Sequence, residues 1–363
     1  MFFKKIMHAF MHHKEHLMTL SFFFGFFIDN LTLNRIDQLY DDVILSVYVA
    51  LAMVSMAFLY GATAGKMHER INHFMRKYAP FLMQYAFGGL FSGMLIFYGR
   101  AGSWQNSWPF LLIIIANIYA NETIKDRVQR FIFSIAMLFI GLFSYTVLMI
   151  PLVVNRMGAL VFVGSGTLAL ILMLLFVRVL ELIVPRFIAL HKRILYFVIG
   201  FIYVGFMTLY FTNIIPPIPL ALKEEGIFHS VIHFSDNNSY QLQYEKGSWW
   251  QFYKKSDDVF HTVSGGPIYC YAKVYAPTQL RTDIFHVWEY YDAAKKEWVE
   301  YYKSSYPITH VNNDGYRGYT LIEHYAPGTW RCTIETGRGQ VLGRETFTVD
   351  AGKAPGTLVT RTE

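Results

Sequence analysis

The stretch ILYFVIGFIYVGFMTLYFTNII, residues 194–215, runs directly into Pro216-Pro217-Ile218-Pro219, and this junction decides how the chain is organised. The uncharged run is long enough to cross about 30 Å of hydrocarbon as a helix. The prolines after it cannot continue a helix and make a stiff exit. Upstream, the chain reads as apolar helices. Downstream, from about residue 227, it alternates with the period-two pattern of strands.

Working upstream, six more apolar segments read as spans: 17–33, 43–62, 79–99, 108–124, 131–154 and 159–183. Basic residues cluster between them on alternate sides. Lys4, Lys5 and Lys14; Lys66, Arg70, Arg76 and Lys77; Lys125, Arg127 and Arg130; and Arg186, Lys192 and Arg193 fall on one side, against Arg35, Arg100 and Arg156 on the other. Short loops rich in Lys and Arg stay cytoplasmic. The pattern predicts seven transmembrane helices with the N-terminus inside and the C-terminal half outside. After the first apolar segment comes Asp29-Asn30 rather than a small-residue cleavage site, so it reads as a retained span. The inner loops are too short for a folded output domain.

Composition agrees. A mean hydropathy of +0.29 and 54% hydrophobic residues exceed what a soluble chain carries. The net charge of +6 comes from residues 1–220, with 17 Lys/Arg against nine Asp/Glu; the rest has 15 against 17. The basicity belongs to loops beside anionic lipid, not to a nucleic-acid-binding face. The expected location is a bacterial inner membrane, with the bilayer as the first partner.

Downstream, candidate strands are 227–234, 258–264, 268–276, 283–291, 297–303, 316–324, 329–336 and 341–349. Turn chemistry separates them, as at Asn312-Asn313-Asp314-Gly315 and Ala326-Pro327-Gly328. Many short strands at this spacing argue for an all-β sandwich. The expected division is a membrane domain over 1–215, an exit linker and interfacial segment over 216–257, an extracytoplasmic sandwich over 258–350 and a flexible tail over 351–363.

Cys270 and Cys332 are the only cysteines. By parity Cys270 shares a face with Ile268, Ala272 and Val274, and Cys332 with Trp330 and Ile334, so both point inward. Trp288 lies on a strand between them, giving the Cys…Trp…Cys order of an immunoglobulin inter-sheet bridge. Two reduced core cysteines would fit the same parity.

Several motifs recur here in a fixed order: Phe285-His286-Val287-Trp288, Gly315-Tyr316-Arg317-Gly318-Tyr319-Thr320, Pro327-Gly328-Thr329-Trp330-Arg331, and Gly339-Gln340-Val341-Leu342-Gly343 with Phe347. They resemble the H-x-W, G-x-R-x-[YF]-[ST], P-G-x-W-R and G-x-V-L…F elements of the bacterial domain-of-unknown-function family 2914, over about 258–350. The resemblance implies an extracytoplasmic, immunoglobulin-like domain and no activity. It marks His286, Trp288, Arg317, Pro327, Gly328 and Trp330 as hallmark positions. Read from their own chemistry, Trp288 and Trp330 fill the centre and Pro327-Gly328 make a turn, whereas His286 and Arg317 fit either a ligand site or a strand staple.

Polar groups at membrane depth are functional-site candidates. Asp29, Asn30, Asn34, Arg35 and Asp37 gather at the outer end of the first span, with Arg100 and Arg156 at the same level, as an anion-recognising cluster or as interfacial pairs. Glu122 and Arg178 are a plausible interhelical pair. Gly61, Gly65, Gly89 and Gly93 allow close helix packing and, through it, an oligomer. No metal or cofactor motif is present: His8, His12, His13 and His16 lie in the N-terminal tail, and His229 and His233 are spread apart by strand spacing. No nucleophile elbow, zinc-protease motif or phosphate loop occurs, so no reaction is assigned. The sequence favours a membrane-anchored module that binds or scaffolds an envelope glycan or protein. A transporter, or an enzyme acting on a lipid-linked substrate through Asp29, Arg35 and Asp37, is the alternative.

Overall fold

The computed structural model describes residues 24, 27, 28 and 39–363, without 67, 102–107, 109–111, 113, 114, 117–126, 216–219, 237, 248–254, 264, 277–281 and 309–314. Two compact units divide at Ile215 and Pro216. The first holds helices α1 (Leu39–Thr63), α2 (Glu69–Ala101), α3 (Arg127–Val154), α4 (Ala159–Ile183) and α5 (Pro185–Phe211). All five are long and apolar enough to cross a membrane. They correspond to the expected spans 43–62, 79–99, 131–154, 159–183 and 194–215. The other two, 17–33 and 108–124, lie largely outside the described residues.

Two helices begin well before their apolar windows. Arg70, Arg76 and Lys77 fall inside α2, and Arg186, Lys192 and Arg193 inside α5. Unbranched Lys and Arg are good helix formers, so backbone hydrogen bonding runs on through the charged turns. α5 is separated from α4 by Val184, which leaves helical dihedrals (φ −131°, ψ 61°), and it opens on Pro185 at its first position. A residue before proline avoids helical dihedrals, while proline suits the first helical turn.

α2 and α3 bury the most, through Phe87, Leu90, Phe91, Phe139 and Phe143. α1 comes close at Gly89, where an added Cβ would lie 2.4 Å from the Tyr48 ring. The four glycines expected to allow close helix packing differ in their surroundings. Gly89 receives Tyr48, Gly61 and Gly93 are buried, and Gly65 (φ +70°) follows the end of α1. Arg178 has a local partner. Its guanidinium bonds Glu181 one turn along α4 at 2.7 Å, and Lys192 of α5 reaches the same carboxylate at 3.4 Å. The expected partner, Glu122, lies outside the described residues.

The second unit is β-rich, with eleven strands among the described residues: β1 (Ala221–Phe228), β2 (Ser230–Phe234), β3 (Ser239–Glu245), β4 (Val259–Thr262), β5 (Ile268–Tyr275), β6 (Thr282–Asp292), β7 (Glu297–Ile308), β8 (Tyr316–Ile322), β9 (Gly328–Thr336), β10 (Val341–Ala351) and β11 (Leu358–Thr362). They form sheets of order β1-β5-β8, β4-β10-β9-β6-β7 and β11-β3-β2. All pairings are antiparallel except β4 with β10. Cys270 on β5 and Cys332 on β9 are disulfide-bonded, joining the first sheet to the second.

Three expectations change. The strand read over 227–234 is two strands broken at His229, because β1 pairs with β5 while β2 pairs with β3. The segment read as an interfacial linker contains β3, whose Tyr240 and Leu242 are buried. The tail contains β11, held in register by pairing Leu358–Thr362 against Glu245–Gln241. The third sheet covers the β5 face opposite Cys270: Phe228, Val231, Tyr240, Leu242 and Tyr271 form one buried cluster. β5 is therefore buried on both faces.

Candidate functional site

The hallmark residues hold the centre together. Trp288 is fully buried, opposite Cys332 on the neighbouring strand, with its ring edge-on to Phe347 at 6.2 Å. Its indole N–H donates to Thr320 Oγ1 on β8 at 2.9 Å, and His286 Nδ1 lies 3.1 Å from the same oxygen. The threonine accepts the indole proton and has its own hydrogen to give to the imidazole, so one hydroxyl ties β6 to β8 beside the disulfide. His286 Nε2 is buried without a hydrogen-bond partner among the described residues. Burial pushes the imidazole pKa down to about 3, because the charged form has no solvent there.

Arg317 is not in this cluster. Along β8, Gly318, Thr320 and Ile322 face inward, and Arg317 lies with Tyr319 and Leu321 on the other face. Its guanidinium donates to the Asn238 carbonyl at 2.9 Å, and the Tyr240 hydroxyl donates to its own carbonyl at 3.3 Å. His286 and Arg317 thus act as separate staples rather than one ligand site. Arg156 is exposed between α3 and α4, and Arg100 lies in the last turn of α2. Asp29, Asn30, Asn34, Arg35 and Asp37 lie outside the described residues.

The concave feature of this region is an aromatic groove at one end of β6, β7 and β9. Its volume is about 370 Å³, and residues 324–330 of the β8–β9 connection close one side. Trp330, almost fully buried, forms the floor; its indole N–H donates to the Ala326 carbonyl at 2.8 Å. Tyr290 lies 5.7 Å from the Trp330 ring, and Tyr301 stands edge-on to it at 5.3 Å. A register shift between Trp288 and Glu289 leaves Tyr301 as the extra residue on β7. Such bulges re-aim side chains, and this one turns Tyr301 towards Trp330.

Tyr291 and Tyr301 are 38% and 45% exposed, so the groove walls are open to solvent. Tyr325 donates its hydroxyl to the Gly266 carbonyl, fixing the far wall. Gly328 (φ +135°) takes a backbone conformation that a side chain would strain, which gives the Pro327-Gly328 pair its role in aiming β9. Behind the groove, Arg331 forks onto Glu289 at 2.6 and 2.7 Å and lies over the Trp298 ring. Burial opposes ionisation of Glu289, but Arg331 and Thr333 outweigh it and hold its pKa below the ordinary value.

Sequence reasoning identified Trp330, Pro327 and Gly328 as scaffold but did not foresee Tyr290, Tyr291, Tyr301 and Tyr325 as its surround. Glu289-Tyr290-Tyr291 and Tyr301-Tyr302 were the available signal, in a chain with 18% aromatic residues. Cys270, His286 and Cys332 also lie close enough for a metal, but the disulfide removes both thiolates.

No curated protein matches the chain. Among solved structures, the Pseudomonas fluorescens alkylpurine DNA glycosylase AlkC bound to DNA containing an abasic site analog aligns over 88% of this chain and 100% of that one. At 9% identity and a TM-score of 0.20, that likeness carries no argument. The N-terminal region has no family assigned. Residues 281–349, which carry His286, Trp288, Arg317, Trp330 and the groove, match the family described as Protein of unknown function (DUF2914).

Proposed function

We propose that this chain is a multi-pass inner-membrane protein that presents an immunoglobulin-like domain outside the cytoplasm, where the aromatic groove binds an envelope glycan. Helices whose outward faces carry Leu160, Leu182, Leu190, Phe197 and Phe201 suit lipid, and the alternation of basic loops favours a cytoplasmic N-terminus. The immunoglobulin-like reading is supported by strand order. β4, parallel to β10, leads a sheet β4-β10-β9-β6-β7 across from β5 and β8, with cysteines on β5 and β9 and the tryptophan on β6. Those are the positions of the bridge and its packed tryptophan in immunoglobulin domains.

The groove is the observation that carries the binding function. Tyrosine and tryptophan rings offer apolar faces for the C–H faces of a sugar while their polar edges stay wet. A volume of about 370 Å³ lies within the range of small-ligand sites and accommodates a short saccharide. The test is titration of the full-length chain in detergent with soluble envelope-glycan fragments, read by tryptophan emission. Saturable binding is expected, weakened at least tenfold, about 1.4 kcal/mol, by Tyr301→Ala. Absence of saturable binding, or an unchanged affinity in Tyr301→Ala, would sink the reading.

A further inference from the structure

At the end of β3, side chains from β4 and from two connections converge on Glu245. His229, between β1 and β2, places Nε2 3.2 Å from Glu245 Oε1 and 3.7 Å from Asp257 Oδ2. His261, on β4, places Nδ1 2.9 Å from Glu245 Oε2. One donor atom each from His229, Glu245 and Asp257 lies within 4.8 Å of the others. In a tetrahedral site with metal–ligand bonds of about 2.1 Å, neighbouring donors sit about 3.4 Å apart. The separations of His229 from Glu245 and Asp257, and of His261 from Glu245, bracket that value. We propose that His229, Glu245, Asp257 and His261 form a binding site for a divalent first-row cation, zinc above all, that clips β3 to β4 and to the β1–β2 connection.

Burial supports this. Asp257 is fully buried and Glu245 is 7% exposed, so both carboxylates sit where an uncompensated charge is costly. A dication beside them compensates that charge.

The surrounding groups orient the donors as outer shells of metal sites do. Asp257 Oδ1 accepts the Glu245 backbone N–H at 2.8 Å, leaving Oδ2 turned to His229. The Gly356 N–H donates to Glu245 Oε2 and the His261 N–H to Oε1, both at 3.2 Å. His261 Nε2 lies 3.6 Å from the Asp350 carboxylate. The His229 ring stacks on Phe260 at 4.1 Å.

Donor chemistry selects the ion. Two imidazole nitrogens with two carboxylate oxygens and no sulfur suit zinc, whereas magnesium and calcium take all-oxygen sets. Four protein donors make a closed, structural site rather than one with an open catalytic position. Sequence spacing concealed it, because His229, Glu245, Asp257 and His261 belong to different strands and connections.

The test uses the purified full-length chain, stripped with EDTA and titrated with zinc chloride against a chromogenic chelator. His8, His12, His13 and His16 offer a second histidine-rich stretch. The titration is therefore run on a chain carrying His8→Ala, His12→Ala, His13→Ala and His16→Ala. One zinc per chain is expected, bound at least tenfold more weakly after His261→Gln or Asp257→Asn. X-ray absorption of the bound zinc should give nitrogen and oxygen ligands with two imidazoles. No stoichiometric binding by the tail-substituted chain, or an affinity unchanged by both variants, overturns the proposal. Where a variant fails to fold, the absorption spectrum decides: fewer than two imidazoles, or any sulfur ligand, refutes the site.

Discussion

Two buried groups in the C-terminal region give stability slopes of opposite sign against pH, and replacing one should unmask the other. Glu225, on β1, has its pKa pushed up to about 7, first by burial and then by the nearby Glu345, against the opposing Arg344 backbone N–H. Its Oε2 is buried without a hydrogen-bond partner among the described residues. A carboxyl whose folded pKa exceeds the unfolded one holds its proton more tightly when folded. Its stabilising contribution is complete below the unfolded value near 4.5 and is lost as pH rises through about 7. Each unit of pH in that window costs about 1.4 kcal/mol, for a total of about 3 kcal/mol.

His286 behaves in the opposite sense. Its folded pKa of about 3 lies below the ordinary 6.5, so the unfolded chain takes up the proton first. Stability falls as pH drops from about 6.5, again by about 1.4 kcal/mol per unit. Between pH 4.5 and 6.5 the two slopes cancel. Glu245 and Glu289, whose pKa values are lowered, withdraw their contributions only at lower pH.

Glu225→Gln keeps the shape and the acceptor for the Arg344 N–H while removing the ionisation. It should stabilise the C-terminal region at pH 8 by about 3 kcal/mol and make it lose about 3 kcal/mol more than the parent between pH 6.5 and 4.5. Equilibrium urea unfolding of the full-length chain in detergent, followed by tryptophan emission at several pH values, reads both. A variant that is no more stable than the parent at pH 8, or one no steeper than the parent across the acid window, refutes the cancellation.

Reducing the Cys270–Cys332 bond reopens a loop with a sequence separation of 62, which by loop-closure entropy costs about 4 kcal/mol. The urea midpoint with and without reductant measures it, and an unchanged midpoint contradicts the bridge. Thr320→Val leaves the Trp288 N–H and His286 Nδ1 without their shared hydroxyl, so a loss of about 2–4 kcal/mol is expected by the same assay. Gly318→Ala drives a Cβ to within 2.4 Å of the Tyr306 ring. It should lower the melting temperature and raise the proteolysis rate across β7 and β8. Reporter fusions after Arg130 should report the cytoplasm, and fusions after Arg156 or within 223–363 the exported side; a cytoplasmic C-terminus would reverse the topology.

The helices were legible wherever apolar residues ran unbroken, since length and hydropathy suffice to mark a span. Their starts were not, because Glu69–Tyr78 and Pro185–Arg193 are helical through polar sequence, where hydropathy is silent but propensity is not. In the β region, alternation located seven strands as single elements, β4 to β10, and the inward parity of Cys270, Cys332 and Trp288. β3 carried the same signal, with Tyr240 and Leu242 alternating against Gln241 and Gln243, but Trp249-Trp250 drew that segment towards an interfacial reading. β11 carried none: its residues are mostly exposed, and only pairing with β3 makes it a strand.

Sites built by long-range register escape sequence reading for the same reason. Tyr301 reaches Trp330 through a bulge on β7, which no local pattern announces. Thr320, the hydroxyl at the centre of the hallmark residues, looked like one more polar residue in a strand. Its value appears only when β8 is laid against β6 across the sheets. The hallmark positions therefore divide by physical role. His286 and Trp288, joined by Thr320, close the centre around the disulfide, and Arg317 donates to the Asn238 carbonyl on another face, whereas Pro327, Gly328 and Trp330 shape a groove open to solvent. Substitutions in the first group should lower stability and ligand affinity together, because both depend on the folded sheets. Substitutions at the solvent-open Tyr291 and Tyr301 should lower affinity alone. That separation distinguishes a binding surface from the scaffold that carries it.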